Sequence, residues 1–185
     1  MPLIKTNREE IIETALKVFR EHGYYNTSMS DLAQACGLQK GSFYHYFDSK
    51  EKMMAAVLEK VLQTLENEVF PIANDHSCSD KERLQKLMLK IGEVMLQQNG
   101  GCIAGNTSLE TNGKDVIFRE TLKKIFQGWQ QALEQVFSTQ YPEGTSKRMA
   151  EQAVMEFEGA LMLSQLHGND QYLKDVFVRT LAKMR

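Results

Sequence analysis

The chain has 185 residues, enough for one domain or two small ones with a sizeable core, and its net charge of −2 does not indicate a nucleic-acid partner. No apolar run approaches the ~18 residues that a membrane span needs, and residues 1–6 lack the apolar segment of a secretory signal. The three cysteines are an odd number without metal-ligand spacing, which suits free thiols in a reducing cytoplasm. We therefore expect a cytoplasmic protein without a cofactor or a metal site.

The first predicted helix begins after residue Asn7. Glu10 stands three positions later, at the reciprocal position of a capping box. An apolar stripe follows, and Gly23 ends the helix. Tyr24 and Tyr25 come next, and we expect both to cover a small core of three helices.

Two short helices joined by a tight turn are predicted next. Thr27 or Ser28 serves as the N-cap of the first, and Gly37 stands where the chain leaves it. Ala33, Gly37 and Phe43 have the spacing of a helix-turn-helix motif. An ordinary αα-hairpin needs the same small residue, glycine and aromatic residue, so the pattern alone leaves both interpretations open.

The rest of the chain is also predicted to be helical, because it contains few prolines and few β-branched runs. A fourth helix begins near Ser49 and runs towards Phe70, and Pro71 marks its end or a kink. This helix is long enough to link the N-terminal region mechanically to the remainder. Further helices are predicted from Ser79 to Leu96, from about Ile103 to Thr111, from Val116 to Phe137, from Gly144 to about His167 and from Asn169 to Met184, with breaks at 99–101 and 112–113.

Residues 8–65 resemble the DNA-binding domain of the TetR family of bacterial transcriptional regulators. The resemblance implies an all-α protein of about nine helices. An N-terminal three-helix helix-turn-helix domain would cover residues 1–48, with residues 49–65 of the linking helix completing the DNA-binding region. A helical ligand-binding and dimerisation domain would cover residues 49–185. The matching residues are Ile11, Ala15, Phe19, Gly23, Thr27–Met29, Asp31–Ala33, Gly37–Leu38, Lys40–Phe47 and Ser49–Glu51.

In a fold of this class the helix from Lys40 to Tyr46 lies in the major groove of DNA. Lys40 can donate to guanine or to a phosphate, and Gln39 can read adenine unless it is merely the N-cap. Gly41 has no side chain and allows close approach of the backbone. For Tyr46 and Phe47 we expect packing instead of DNA contact. The predicted DNA-binding residues are Thr27, Ser28, Gln39, Lys40, Gly41, Ser42, Tyr44, His45 and Lys50.

The last two predicted helices indicate a homodimer. The first of them is apolar on more than one side and must bury two faces. In the family these helices pair with their symmetry mates, and Gly159 would permit close approach. The alternative is a core formed wholly within one chain. A two-fold protein matches a palindromic operator, which favours the dimer.

The resemblance also implies a small-molecule pocket in the C-terminal domain. Cys102 is predicted to begin a short helix, where amides would lower its pKa, and Gly-Cys with Glu110 eight residues on is similar to a subgroup of regulators, some of which sense electrophiles. Cys102 could equally be a small structural residue, and methionines and aromatics at helical spacing are usually core. The candidate ligand-binding residues are Met88, Met95, Cys102, Asn106, Phe126, Trp129, Met155 and Glu158.

These observations predict a ligand-responsive transcriptional repressor. It would bind a palindromic operator as a dimer and leave the DNA when a small molecule, for example an electrophile that reacts at Cys102, binds the C-terminal domain. One alternative is a cysteine-based redox or electrophile-processing protein, although no nucleophile–base pair or phosphate loop is visible in the sequence. The other is a helix-turn-helix structural protein without operator specificity.

Overall fold

A computed structural model describes residues 7–96, 100–112 and 116–185, and within these ranges it contains nine α-helices and no strand. Residues 1–6, the predicted break at Asn99 and the predicted turn at Gly113 lie outside the described residues. The all-α prediction is confirmed. The helices are α1 (Arg8–His22), α2 (Met29–Ala35), α3 (Lys40–Tyr46), α4 (Lys50–Thr64), α5 (Asp80–Met95), α6 (Ile103–Glu110), α7 (Val116–Phe137), α8 (Glu143–His167) and α9 (Gln171–Ala182).

Helices α1 to α3 form an N-terminal head whose helix ends are set by local hydrogen bonds. Asn7 and Glu10 form the predicted capping box of α1, and Ser28 and Asp31 form another at the start of α2. The turn after α2 is closed by two backbone bonds, from Gly37 N to Gln34 O and from Leu38 N to Ala33 O, with Gly37 at φ 65°. This pattern is a Schellman motif, and the left-handed conformation explains the glycine.

The head has a small core of its own. Phe43 of α3 is completely buried and lies with Leu32 and Ala33 of α2 and Ile11 of α1 in the buried apolar cluster. Full burial of an aromatic side chain contributes about 1.5–3 kcal/mol, which is a large share of the stability of so small a unit. Phe43 therefore fixes which face of α3 points inwards, and the remaining residues of α3 face away from the core.

Helix α4 connects the head to the C-terminal body, packing against both α1 and α7. Its α-helical part ends at Thr64, earlier than the sequence predicted. The chain continues as a π-helical turn over Leu65–Val69 and a 3-10 turn over Phe70–Asn74. Pro71 lacks an N–H group, so an α-helix cannot continue through this point without losing a hydrogen bond.

The body consists of α5 to α9. The predicted start of α5 at Ser79 is confirmed, and Ser79 and Glu82 form a capping box there. The longest helices, α7 and α8, pack against one another, and α9 packs along α8. No helix within the described ranges is long and apolar enough to cross a membrane.

Candidate functional site

The outer surface of α3 is the first candidate site. Gln39, Lys40, Ser42, Tyr44 and His45 are all exposed. Gln39 is the N-cap of α3, but its side chain makes no capping hydrogen bond, so its amide is not used by the helix. Lys40 also forms no ion pair within 4.0 Å among the residues that the structure describes. Polar groups that can reach base edges or phosphates therefore line one face of α3.

Gly41 is exposed on the same surface. A Cβ atom placed on it would meet no atom within 4 Å. The head therefore has no internal packing reason for a glycine here, and the α3 backbone is open to close approach from outside.

The residues that were predicted to contact phosphates already form hydrogen bonds within the protein. Thr27 is buried, and its hydroxyl donates to the Gly23 carbonyl at 2.6 Å. The Lys50 ammonium donates to the Tyr24 carbonyl at 2.8 Å and lies 4.4 Å from the centre of the Tyr24 ring. Ser28 is exposed, but its hydroxyl is bound to Asp31 within the capping box. Thr27 and Lys50 thus stabilise the connection between α1 and α2 in the free protein.

The aromatic residues near α3 only partly match the sequence predictions. Tyr24 and Phe47 are buried as expected. Tyr25 and Tyr46 were expected to pack; neither ring is buried, since they are 63% and 40% exposed, although the Tyr25 ring centre lies 5.4 Å from that of Tyr24. Both are on the surface of a head that is too small to bury so many rings.

Arg8 is a residue of this surface that the sequence did not identify. Its guanidinium carbon lies 4.7 Å from the centre of the Phe47 ring, and with Tyr44 and His45 it lines a surface groove of about 430 Å³. The only signal in the sequence was a basic residue at the start of α1, and nothing local places that residue beside α3.

Cys102 and Glu158 meet at the start of α6. Cys102 is the N-cap of this helix, and the Gly105 amide donates to its Sγ at 3.2 Å. A Cβ on Gly105 would lie 2.6 Å from Glu158 Oε2, so the α8 carboxyl lies directly against this turn. Asn106 instead donates its side-chain amide to the Gly100 carbonyl, which fixes the preceding loop.

The thiol of Cys102 is not activated in this arrangement. Burial raises the pKa of Cys102 well above its ordinary value, and the neighbouring Glu158 carboxylate raises it further. Hydrogen bonds from the backbone at Gly105 and Ala104 act in the opposite direction but are outweighed. The prediction that this helix start lowers the pKa of the thiol is therefore wrong, because burial and a neighbouring charge dominate over the helix terminus.

Glu158 is itself in an unfavourable environment. Its Oε1 is shielded from solvent and has no hydrogen-bond partner among the described residues. Burial raises the pKa of this carboxyl above its ordinary value, although a hydrogen bond with Cys102 partly offsets the effect.

A separate cavity of about 650 Å³ lies between α5, α7, α8 and α9. Of the candidate ligand-binding residues, Met88 and Trp129 line it. Phe126 stacks on Trp129 with 6.4 Å between ring centres, while Met95 is wholly buried in the core. Cys102, Asn106 and Glu158 lie outside the lining. The structure therefore separates the candidate ligand residues into a polar cluster at the start of α6 and an apolar cavity.

Met155 belongs to neither group. It is 65% exposed on the outer face of α8, which it shares with Met162 and Leu166 at 59% and 73% exposure. Gly159 lies between them, and a Cβ there would meet no atom within 4 Å. Large apolar side chains exposed at helical spacing mark this face as a candidate surface for another protein chain.

Glu110 makes a contact between head and body that the sequence did not predict. This residue ends α6, and its carboxylate accepts from the Tyr24 amide at 3.2 Å and from the Tyr25 amide at 2.9 Å. One end of α6 thus lies at Glu158 of the body and the other holds the loop after α1. The interacting residues are 85 and 86 positions apart in the chain, so no local pattern indicates the contact.

Two family models match the chain. The model described as "Bacterial regulatory proteins, tetR family" matches residues 11–57, and "Transcriptional regulator LmrA/YxaF-like, C-terminal domain" matches residues 81–178. The chain belongs to the TetR family. The descriptions of both models are those of regulatory proteins.

Several transcriptional regulators are similar over almost the whole chain. The HTH-type transcriptional repressor DhaR of Mycobacterium sp. (strain GP1) is 28% identical over 180 residues, which cover 92% of this chain and 90% of that protein. The transcriptional regulator AcuR of Cereibacter sphaeroides is 26% identical over 95% of this chain and 83% of that protein. A TetR transcriptional regulator from Legionella pneumophila, known from its crystal structure, has a TM-score of 0.84 and 26% identity, covering 99% of this chain and 100% of the other.

Proposed function

We propose that this TetR-family protein is a ligand-responsive transcriptional repressor in the cytoplasm. It binds a palindromic operator as a homodimer and leaves the DNA when a small molecule binds its C-terminal body. The observation that carries the proposal is the arrangement of α3, which is anchored by buried Phe43 and presents Gln39, Lys40 and Ser42 to solvent. The names of similar proteins, among them a transcriptional repressor, support the same function.

Base recognition would come from the first turn of α3. Lys40 has the donor to bind guanine in the major groove, and the free amide of Gln39 can bind adenine in a bidentate manner. Ser42, Tyr44 and His45 are placed to add contacts to bases or phosphates, and Arg8 of α1 supplies a further cation. Since the net charge of the whole chain is −2, binding depends on this local distribution and not on the overall charge.

Dimerisation would use the outer face of α8 together with α9. Met155, Met162 and Leu166 offer an apolar surface at helical spacing on α8. A two-fold dimer places two copies of α3 on one side of the DNA, and the copies must be ~34–36 Å apart to enter successive major grooves. Such a dimer recognises a sequence with matching two-fold symmetry.

Ligand binding would be transmitted to the head by two connections. Helix α4 packs against α1 at one end and against α7 of the body. The Glu110 carboxylate at the end of α6 holds the Tyr24 and Tyr25 amides. A ligand that favours one arrangement of the body shifts the head only by its differential affinity for the two arrangements.

If the effector is an electrophile that reacts with Cys102, the protein must change conformation around this residue. In the described arrangement the thiol is buried and its pKa is raised, so reaction would need α6 and α8 to move apart. Labelling with iodoacetamide separates the possibilities. If Cys102 senses electrophiles, it should be labelled and the modification should release DNA, and Cys102→Ser should lose that release. If Cys102 stays unlabelled while Cys78 reacts, the electrophile form is excluded.

Selection of bound sequences from random double-stranded DNA tests the main proposal. We expect a two-fold symmetric consensus, with Lys40→Ala weakening binding to the selected sequence. The matched control is Lys81→Ala, which removes an exposed lysine from the body and should leave affinity unchanged. Binding without any consensus would instead favour a helix-turn-helix structural protein, and equal affinity for Lys40→Ala and wild type would remove α3 from the interface.

A further inference from the structure

The cavity between α5, α7, α8 and α9 has a chemically uneven wall. Its volume of about 650 Å³ lies within the 300–1,000 Å³ typical of small-molecule sites. Most of the surface is aliphatic or aromatic, and Trp129 and Phe157 form an edge-to-face pair in it with 5.0 Å between ring centres. This wall fits an apolar ligand body of moderate length.

Apart from the indole of Trp129, two polar side chains line the cavity, Lys174 and Thr180, and both are on α9. Thr180 is 1% exposed, and its hydroxyl has no hydrogen-bond partner among the described residues. The hydroxyl oxygen has almost no accessible surface, so Thr180 is packed into the wall and its hydroxyl is not open to a ligand in this arrangement. The sequence predicted a role for α9 in dimerisation alone and did not identify its inner face as part of a ligand site.

Lys174 supplies the only charge among the described residues that line the cavity. It is exposed at the rim and forms no ion pair within 4.0 Å in the described part of the chain. No described acidic residue lines the cavity, so nothing there compensates a cationic ligand. Charge complementarity thus favours an anion whose charged end remains near the water.

We propose that this cavity binds an amphipathic monocarboxylate, with its apolar body against Trp129 and Phe157 and its carboxylate within reach of Lys174. The regulatory meaning of this site rests on the proposed function, but binding itself does not. A neutral ligand would gain nothing from the Lys174 charge, and a cation would be repelled by it. The chemistry of α9 therefore selects the ligand class.

Trp129 provides a direct readout, because it is the only tryptophan in the chain and lines the cavity. Its fluorescence would be followed during titration with decanoate, decanol and decyltrimethylammonium. We expect decanoate to bind most tightly and the cation most weakly. If decanol binds as tightly as decanoate, or the cation binds most tightly, the proposed ligand class is wrong.

Lys174→Gln tests the origin of this preference. An exposed ion pair changes affinity only modestly, so the variant should bind decanoate about two- to fivefold less tightly and decanol unchanged. Lys81→Gln, away from the cavity, should bind both probes like the wild type. Equal effects of Lys174→Gln on both probes, or no effect on decanoate, would exclude Lys174 as the anion contact.

A larger side chain at position 92 would fill part of the cavity and so tests where the ligand binds. It lines the cavity, and a Cβ there would meet no atom within 4 Å, so Gly92→Leu should fold and reduce decanoate affinity more than tenfold. Gly144→Leu is the matched control, since this helical glycine lies outside the cavity lining and its nearest neighbour is an Arg148 side-chain atom at 3.9 Å. Undiminished binding to Gly92→Leu would place the ligand elsewhere. All three titrations contain no DNA, so their failure is distinguishable from a failure of operator binding.

Discussion

Truncation of Glu110 should loosen the connection between α6 and the head. In Glu110→Ala the Tyr24 and Tyr25 amides lose an acceptor that now lies 3.2 Å and 2.9 Å away. Hydrogen bonds to a charged group contribute about 1.5–3 kcal/mol when they are buried and less when water can replace them. Because the Tyr25 amide is in an exposed contact and the Tyr24 amide in a partly buried one, we expect a total loss of about 2 kcal/mol.

For a chain of this length, a loss of that size lowers Tm by about 4–8 °C. Hydrogen exchange at the Tyr24 and Tyr25 amides should also accelerate, which locates the effect in the loop after α1. Glu120→Ala is the matched control. It removes an exposed carboxylate whose contact is an i,i+3 pair with Lys123 at 2.9 Å, and such a pair contributes only about 0.2–0.5 kcal/mol.

Glu110→Gln provides a second comparison, because it keeps one carbonyl oxygen as an acceptor and should recover part of the loss. The reasoning would be refuted if Glu110→Ala were as stable as Glu120→Ala and exchange at both tyrosine amides were unchanged. In that case the contact seen between α6 and the head would contribute nothing to their coupling.

Two further predictions concern single residues. Gly41→Ala should leave the free protein as stable or stabilise it by up to about 1 kcal/mol, because alanine favours a helix and its Cβ meets no atom within 4 Å. Operator affinity should nevertheless fall, as measured by titration with the selected sequence, and unchanged affinity would show that the α3 backbone does not approach DNA closely. Glu158→Gln should change how stability depends on pH. Burial raises the folded-state pKa of Glu158 above its unfolded value, so the wild type loses stability as pH rises from the unfolded-state pKa of about 4.3 towards the folded-state pKa. The variant lacks this loss, and urea unfolding at about pH 5 and about pH 8 should show its relative stability increasing with pH. A pH-independent difference between the two proteins would mean that the carboxyl does not titrate abnormally.

The parts of the fold that depend on neighbouring residues could be predicted from the sequence. The capping boxes of α1 and α5 use residues three positions apart, and these starts were predicted directly. The turn at Gly37 is likewise a local device. The end of α4 was predicted less accurately. The pattern of apolar residues continues past Thr64, although the helical geometry changes before Pro71.

The features that depend on distant residues could not be predicted in the same way. The local position of Cys102 at a helix start indicated a lowered pKa, but Glu158 and burial, which come from tertiary packing, reverse the direction. The sequence predicted the last helix, from Asn169 to Met184, whereas the orientation of α9 towards the cavity could not be predicted. Met155 illustrates the converse case, because its helical spacing was compatible with a pocket but the fold places it on the outer face of α8.

The central claim is that two copies of α3 read DNA from one rigid two-fold dimer, and changing the spacing of the operator half-sites tests it most directly. Inserting about five base pairs, half a helical turn, between the two halves of the selected consensus rotates them to opposite faces of the duplex. We predict that affinity then falls to the level measured for random DNA of the same length at the same salt concentration. Undiminished affinity for the altered spacing would contradict recognition by a paired α3.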